Sequence, residues 1–190
     1  MIIDAILTAR SVLAEHLPVP DGVRIRSLRT HKDTRGDFTE LFRDEWDLGP
    51  RPLQWNMTHS NANVLRGVHT HRWHTDYLAM AAGEMILGLH DIRPRSPTLG
   101  VSLLLRLQAE DLHVVAIPVG VAHGFYFAEP AITLYAVSHY FDGSDELGCR
   151  WNAPELDLPW PCDDPLLSER DTTAGSYSAM IADWQSGARA

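Results

Sequence analysis

Beyond its first twenty residues the chain carries its apolar side chains in short alternating runs, each bounded by Gly, Pro, Asp or Asn. Val23, Ile25 and Leu28 make the first run, and residues 38–42 the second, after the turn Asp33-Thr34-Arg35-Gly36. Further runs cover residues 53–60, 64–69, 77–81 and 85–90, with Gly83-Glu84 turning between the last two. Residues 101–107, 113–117, 124–127 and 132–140 complete the series. A period of two sends successive side chains to opposite faces of a strand, and no helix of ordinary length interrupts these runs. The pattern predicts an all-β fold, a sandwich or barrel of antiparallel strands rather than an α/β sheet.

Helical spacing is confined to the ends. Ile6, Leu7, Val12, Leu13 and Leu17 fall near one side of a helix over residues 4–17, which Pro18 and Pro20 stop. A last short helix is expected over residues 176–184, with a frayed tail over 185–190. Residues 154–165 are too rich in proline for regular structure and are expected to wrap across the sheet surface. The chain thus divides into an N-terminal helical extension (1–22), one β domain (23–175) and a C-terminal helix and tail (176–190). At 190 residues it is long enough to bury a core without disulfide staples.

Composition is that of a soluble globular protein, 45% hydrophobic and 22% charged. With 25 acidic and 16 basic residues the formal charge is -9, which argues against a nucleic-acid or anionic-membrane surface, although a local arginine cluster can still hold a phosphorylated small molecule. Cys149 and Cys162 are too few and wrongly spaced for a zinc site or a disulfide framework. Free thiols, no basic region before the first apolar residues and no run approaching ~18 apolar residues point to a cytoplasmic protein.

The densest chemistry lies in residues 64–76, Val-Leu-Arg-Gly-Val-His-Thr-His-Arg-Trp-His-Thr-Asp, with three histidines, two arginines and one carboxylate in thirteen residues. Strict alternation would put Arg66, Val68 and Thr70 on one face and Gly67, His69 and His71 on the other, so that His69 and His71 enter one cavity. A solvated histidine-rich hairpin is the plain alternative. A second segment answers the first: the turn Pro118-Val119-Gly120 precedes an inward-pointing His123.

Together the two segments resemble the sequence motifs of the cupin jelly rolls, through the spacing of His69, His71, Asp76 and Gly83 and then of Pro118, Gly120 and His123. A longer likeness runs from residue 34 to residue 171. The string 33–42 is followed by Gln54, Asn56, Ser60, Leu65-Arg66-Gly67-Val68-His69, Arg93, Ser96-Pro97-Thr98-Leu99-Gly100, Leu134-Tyr135, Trp160-Pro161 and Leu167-Ser168-Glu169-Arg170-Asp171. This order resembles the dTDP-4-dehydrorhamnose 3,5-epimerase family. The resemblance implies a homodimeric cupin-type jelly-roll sandwich with short flanking helices, which needs no metal or redox cofactor. It also implies a dTDP-4-keto-6-deoxy-sugar substrate, inverted at C3, C5 or both in deoxysugar biosynthesis. Carried over by motif, His69 is the base, Asp171 its carboxylate partner and Tyr135 the acid. Arg35, Phe38, Glu40, Gln54, Asn56, Arg66, His123 and Tyr140 fall at or near nucleotide and sugar contacts.

The residue types suit the reaction. Inverting a carbon beside a ketone requires removal of a weakly acidic C–H proton, and an imidazole oriented by a carboxylate does this near neutral pH. A neutral tyrosine can return a proton to the opposite face. Arginines supply forks for the diphosphate, and Arg66 or His123 can stabilise the enolate oxygen. One departure stands out: family members carry a lysine at the position of Asp76, and Lys32 is the only lysine in this chain. Arg72 and His74 are the neighbouring candidates to replace it, and Phe141 holds the spacing of a family tyrosine, with Tyr140 one residue earlier. Two other readings stay open, a metal-dependent cupin using His69, His71, Asp76 and His123, and a non-catalytic sugar-nucleotide binding protein.

Overall fold

In the computed structural model of the chain, which describes residues 6–141 and 143–187, two sheets face each other across an apolar core. The larger sheet has six strands in the order β1 (Ile6–Thr8), β9 (Ser102–Gln108), β8 (Glu84–Asp91), β11 (Val121–Phe127), β6 (Val64–Thr70) and β13 (Leu147–Gly148). The smaller has five, β2 (Arg24–Ser27), β10 (His113–Ile117), β7 (Asp76–Ala82), β12 (Ala131–Val137) and β5 (Gln54–Ser60). A separate hairpin joins β3 (Thr30–Asp33) to β4 (Gly36–Thr39). Pairing is antiparallel except for β1, which lies parallel to β9. The all-β cupin-type sandwich expected from the alternation is the fold that forms.

Apolar side chains fill three layers. Between the sheets pack Leu78, Met80, Met85, Leu87, Leu105, Val115, Ile117 and Phe127. The outer face of the six-stranded sheet carries Leu65, Val68, Ile86, Leu104 and Ala122, covered by Leu156, Trp160 and Met180 from the C-terminal segment. Trp160 lies close enough to β8 that a Cβ at Gly88 would fall 2.5 Å from its ring. The expected wrapping of the proline-rich stretch is therefore a packing interaction, with Trp160 Nε1 donating to the Trp151 carbonyl at 3.1 Å. The third layer, Tyr77, Val114, Ala116 and Ala136, lies on the outer face of the five-stranded sheet under Phe42, Trp46 and Leu48.

The ends differ from expectation. Asp4 lies outside the described residues, and Ile6–Thr8 is a strand, because Thr8 begins the helix: its hydroxyl accepts from the Ser11 amide in a capping box. The helix, α1, spans Ala9–Glu15. Near the other end come a one-turn helix, α2 (Glu169–Thr172), and α3 (Tyr177–Gly187), longer than expected; residues 188–190 lie outside the described residues. The Arg93 and Ser96-to-Gly100 string turns out to be scaffold. The buried Asp91 carboxylate accepts from Arg93, Ser96 and Thr98, which holds the β8–β9 connection and lowers its pKa despite burial.

Candidate active site

A cavity of about 360 Å³ opens between the sheets, walled on one side by β6 and β11 and on the other by β5, β7 and β12. Leu78, Met85, Phe125, Phe127 and Val137 give it an apolar lining, into which a polar set projects.

Strand β6 delivers Arg66 and His69, and His71 follows just beyond its end. Strict alternation would have separated Arg66 from His69, but the pairing with β11 slips between His123 and Gly124, leaving Val68 unmatched between His69 and Gly67. Such a bulge shifts the phase of the side chains by one. Leu65 and Val68 therefore both enter the outer apolar layer, and Arg66 and His69 both face the cavity. Gly67 has φ +115°, and a Cβ there would sit 2.9 Å from Gly124 Cα and the His123 carbonyl, so the bulge requires glycine.

His69 Nε2 lies 2.6 Å from Asp171 Oδ1. Ser168 caps α2 by accepting from the Asp171 amide at 3.1 Å, and Asp171 Oδ2 accepts from the Gly67 amide at 3.3 Å. Burial works to raise the Asp171 pKa, but the hydrogen bond and charge of His69, with Ser168 and the Gly67 amide, hold it below the usual carboxylate range. An ionised Asp171 makes His69 Nε2–H the donor and leaves the imidazole lone pair on Nδ1. Arg170 Nη2 lies 3.0 Å from that Nδ1 and 2.6 Å from Nε2, while its Nη1 pairs with Glu146.

Tyr135 stands on the opposite wall, on β12, paired with Asn56 of β5 and Leu78 of β7. Burial raises its phenol pKa, Asp76 and Glu146 add to the rise, and Arg66 opposes it. Tyr135 is thus a neutral O–H donor at pH 7.

Four buried groups gather deeper in the cavity. His71, His74 and His123 each place Nε2 3.7 Å from Asp76 Oδ2. Burial pushes His71 down to about 2, with His123 and His74 adding to it, and pushes His123 down to about 3. His74 also falls, through burial, against the pull of Asp145 and Glu146. Asp76 rises well above the carboxylate range, through burial and then Glu146 and Asp145.

Of the residues singled out from the sequence, the fold brings His69, Asp171, Tyr135, Gln54, Asn56, Arg66 and His123 into one cavity. Gln54 Nε2 donates to Asn56 Oδ1 at 3.0 Å, and Gln54 Oε1 accepts from the Phe141 amide at 3.1 Å. Phe141 lines the cavity and Tyr140, 66% exposed, does not. Arg35, Phe38 and Glu40 lie outside the cavity, on or beside the β3–β4 hairpin: Arg35 pairs with Asp33 at 2.6 Å, Glu40 with Arg43 at 3.3 Å, and Phe38 is exposed. Within the candidate metal set, His71, Asp76 and His123 come together, but Asp171 engages His69, and His74 faces Asp76 in its stead. Sequence reasoning missed Asp145, Glu146 and Arg170. Arg170 lay inside the Leu-Ser-Glu-Arg-Asp string, whereas the turn holding Asp145 and Glu146 gave no signal.

With a carboxylate-held imidazole on one wall and a neutral phenol on the other, the sandwich is arranged to move protons across something bound between its sheets, which places it among acid–base enzymes of the cupin-type fold. Within that class the chain belongs to the dTDP-4-dehydrorhamnose 3,5-epimerase family, whose sequence model matches residues 17–178. The Pseudomonas aeruginosa enzyme of that name is 34% identical over 174 residues, 87% of this chain and 96% of the relative. The Neisseria gonorrhoeae enzyme is 32% identical over 84% of this chain, which spans about half, 51%, of that longer relative. Among solved structures, a dTDP-6-deoxy-D-glucose-3,5-epimerase from Legionella pneumophila in complex with dTDP-4-keto-L-rhamnose superposes with TM-score 0.79 at 30% identity, covering 86% of this chain and 92% of that one.

Proposed function

We propose that this protein is a nucleotide-sugar epimerase of deoxysugar biosynthesis that inverts C3, C5 or both of a dTDP-4-keto-6-deoxyhexose. The observation that carries the reading is the His69–Asp171 pair at 2.6 Å, in one cavity with Tyr135 on the opposite sheet. His69 takes the proton from the carbon beside the ketone, and the C–H electron pair moves into the enolate, leaving the charge on the carbonyl oxygen. Asp171 steadies the imidazolium. Tyr135 delivers a proton to the other face of the same carbon, the ketone re-forms, and solvent restores the phenol while His69 releases its proton, so the net change is inversion alone.

Arg170 Nη2 lies against the His69 ring, within 3.0 Å of both nitrogens, and its side chain is half exposed, so the substrate C–H reaches Nδ1 as Arg170 swings aside. Arg66, held by Ser60 at 3.2 Å, faces the cavity as a fork for the diphosphate or the enolate oxygen. Gln54 and Asn56 supply amide contacts, and the Asn56 Nδ2 donor is buried without a hydrogen-bond partner among the described residues.

The working unit in this reading is a homodimer in the cytoplasm. Arg35, Phe38 and Glu40 do not line the cavity of their own chain, and in this reading a partner's hairpin supplies them. The exposed apolar row Leu53, Trp55 and Met57, at and beside edge strand β5, gives such a partner a surface to cover. No described helix is long and apolar enough to cross a membrane.

The test is incubation with dTDP-4-keto-6-deoxyglucose in deuterated water, reading label at C3 and C5 by NMR. Wild-type protein is expected to incorporate deuterium with inversion, and His69→Ala to slow incorporation by roughly 10²–10⁴-fold while nucleotide affinity stays nearly unchanged. Absence of label in the wild-type protein, with the nucleotide sugar bound, would leave a binding protein in place of an enzyme.

A further inference from the structure

We propose that His71, His123 and Asp76 form a binding site for a divalent first-row transition-metal ion, buried in the deep end of the cavity with His74 stacked on His71 beside it. His123 Nδ1 is 3.0 Å from the Val121 carbonyl and His71 Nδ1 is 3.0 Å from the Asp145 carbonyl, contacts that require Nδ1–H in both rings. His74 Nδ1 faces the Asp145 carboxylate at 3.1 Å. Each neutral ring therefore presents an unprotonated Nε2, and all three lie 3.7 Å from the same oxygen, Asp76 Oδ2. That oxygen is buried, and no hydrogen-bond donor among the described residues reaches it. Three lone pairs and a carboxylate oxygen facing one another repel unless a cation or a proton lies among them, and at 3.7 Å a proton on Asp76 would reach none of the imidazoles in a hydrogen bond.

The dimensions and the supports agree with such a cation. The ligand atoms of His71, Asp76 and His123 lie within 4.8 Å of one another. An ion bound at about 2.0–2.2 Å by tetrahedrally placed N and O ligands holds them roughly 3.3–3.6 Å apart, a little under the 3.7 Å from the His71 and His123 Nε2 atoms to Asp76 Oδ2. The supports are those expected of metal-ligating imidazoles, each fixed through its far nitrogen by a carbonyl or a carboxylate. Asp145 anchors His71 by its carbonyl and His74 by its carboxylate, which is itself set by the Arg72 and Trp73 amides at 2.5 and 3.0 Å. Imidazole and carboxylate together suit zinc, iron, manganese, cobalt or nickel rather than calcium or magnesium. His69 stays outside the set, since Asp171 holds it.

The site deepens the epimerase reading and, for its role, rests on it. A bound cation supplies a fixed positive charge in the cavity where the negative charge of an enolate must be held. Lys32, the chain's only lysine, is on β3 and pairs with Asp37 instead.

The experiment uses the full chain purified without a histidine tag. Elemental analysis is expected to find close to one equivalent of transition metal. After chelation, titration with Co²⁺ is expected to give visible ligand-field absorption that saturates at one equivalent. His71→Gln and His123→Gln should abolish that absorption, Asp145→Asn should weaken Co²⁺ binding by roughly 10–100-fold, and His69→Gln should leave the titration unchanged. A chelated wild-type chain with an unaltered circular dichroism spectrum that takes up no Co²⁺ would overturn the site, and this outcome does not depend on any variant folding. So would absorption that persists in both His71→Gln and His123→Gln, or that disappears in His69→Gln. Deuterium exchange separates this proposal from the reading beneath it: one equivalent of metal without exchange supports the site and removes the epimerase, whereas exchange in a chain that takes up no metal keeps the epimerase and removes the site.

Discussion

At the scale of single residues, the site depends on a side chain that is not there. Gly67 lets β6 slip its phase, and the slip brings Arg66 and His69 to one wall. Gly67→Ala would force a Cβ into the Gly124 backbone at a positive φ, so it is expected to cost at least about 1–3 kcal/mol of stability, read by urea denaturation, and to slow deuterium exchange by displacing His69. Unchanged stability would mean that the bulge does not need glycine. Across the cavity, Tyr135→Phe is expected to leave label entering with retained configuration, because His69 can still remove and return a proton on its own side. Equal loss of exchange and inversion would make Tyr135 a binding residue. His69, Asp171 and Tyr135 were legible because each sits in a short string with a strict order. The phase slip was not legible, since nothing in Arg-Gly-Val-His marks a bulge, and neither was Asp145, whose part is played through two backbone amides and two imidazoles brought together only by folding.

Among the elements, strands with one open face were the easiest to read. Strand β5, with its alternating burial, follows its sequence pattern closely, whereas β8 is buried on nearly every residue because the second sheet covers one face and the C-terminal segment the other. The helix boundary at Thr8 was missed because Ile6 and Leu7 satisfy a helical and a strand period equally, and the capping box decides between them. The same double covering of β8 places His90 between Ser102, at 2.7 Å, and Tyr177 of α3, at 2.9 Å. Burial lowers the His90 pKa, with Asp91 only partly opposing. A histidine whose native pKa lies below its unfolded value takes up protons more readily when unfolded, so its effect is to reduce stability as pH falls below about 6.5. His71, His74 and His123 act in the same direction, and Asp76, whose carboxyl pKa is raised by burial, opposes them in part. The melting temperature is expected to drop from pH 7 to pH 5, and His90→Gln, which keeps a hydrogen-bonding side chain without a titrating ring, should make that drop smaller. A variant with the same pH dependence as wild type would show that His90 does not couple α3 to protonation.

On the scale of the whole molecule, the proposed function asks a chain of formal charge -9 to hold an anionic nucleotide sugar, and the cations its own cavity offers are few: Arg66 and Arg170. The hairpin that carries Arg35 and Phe38 lies apart, with its aromatic residue exposed, and Trp55 and Met57 present apolar surface on edge strand β5. Both features are accounted for if two copies exchange hairpins, each completing the other's cavity. Sedimentation at micromolar concentration should then give about twice the 21.3 kDa chain mass, and Trp55→Glu with Met57→Glu should return it to one chain. Complementation tests the exchange itself. His69→Ala lacks the base but keeps its hairpin, and a chain with Arg35→Ala and Phe38→Ala lacks the hairpin contacts but keeps its base. In a mixed dimer, the cavity that retains His69 receives the intact hairpin of the other chain, while the second cavity has neither. Random mixing makes half of the dimers mixed, with one whole cavity in each, so two nearly inactive variants combined after unfolding and refolding should recover about a quarter of wild-type exchange. No recovery above the sum of the separate variants, from a mixture shown to form mixed dimers, would mean that each cavity works with its own chain alone.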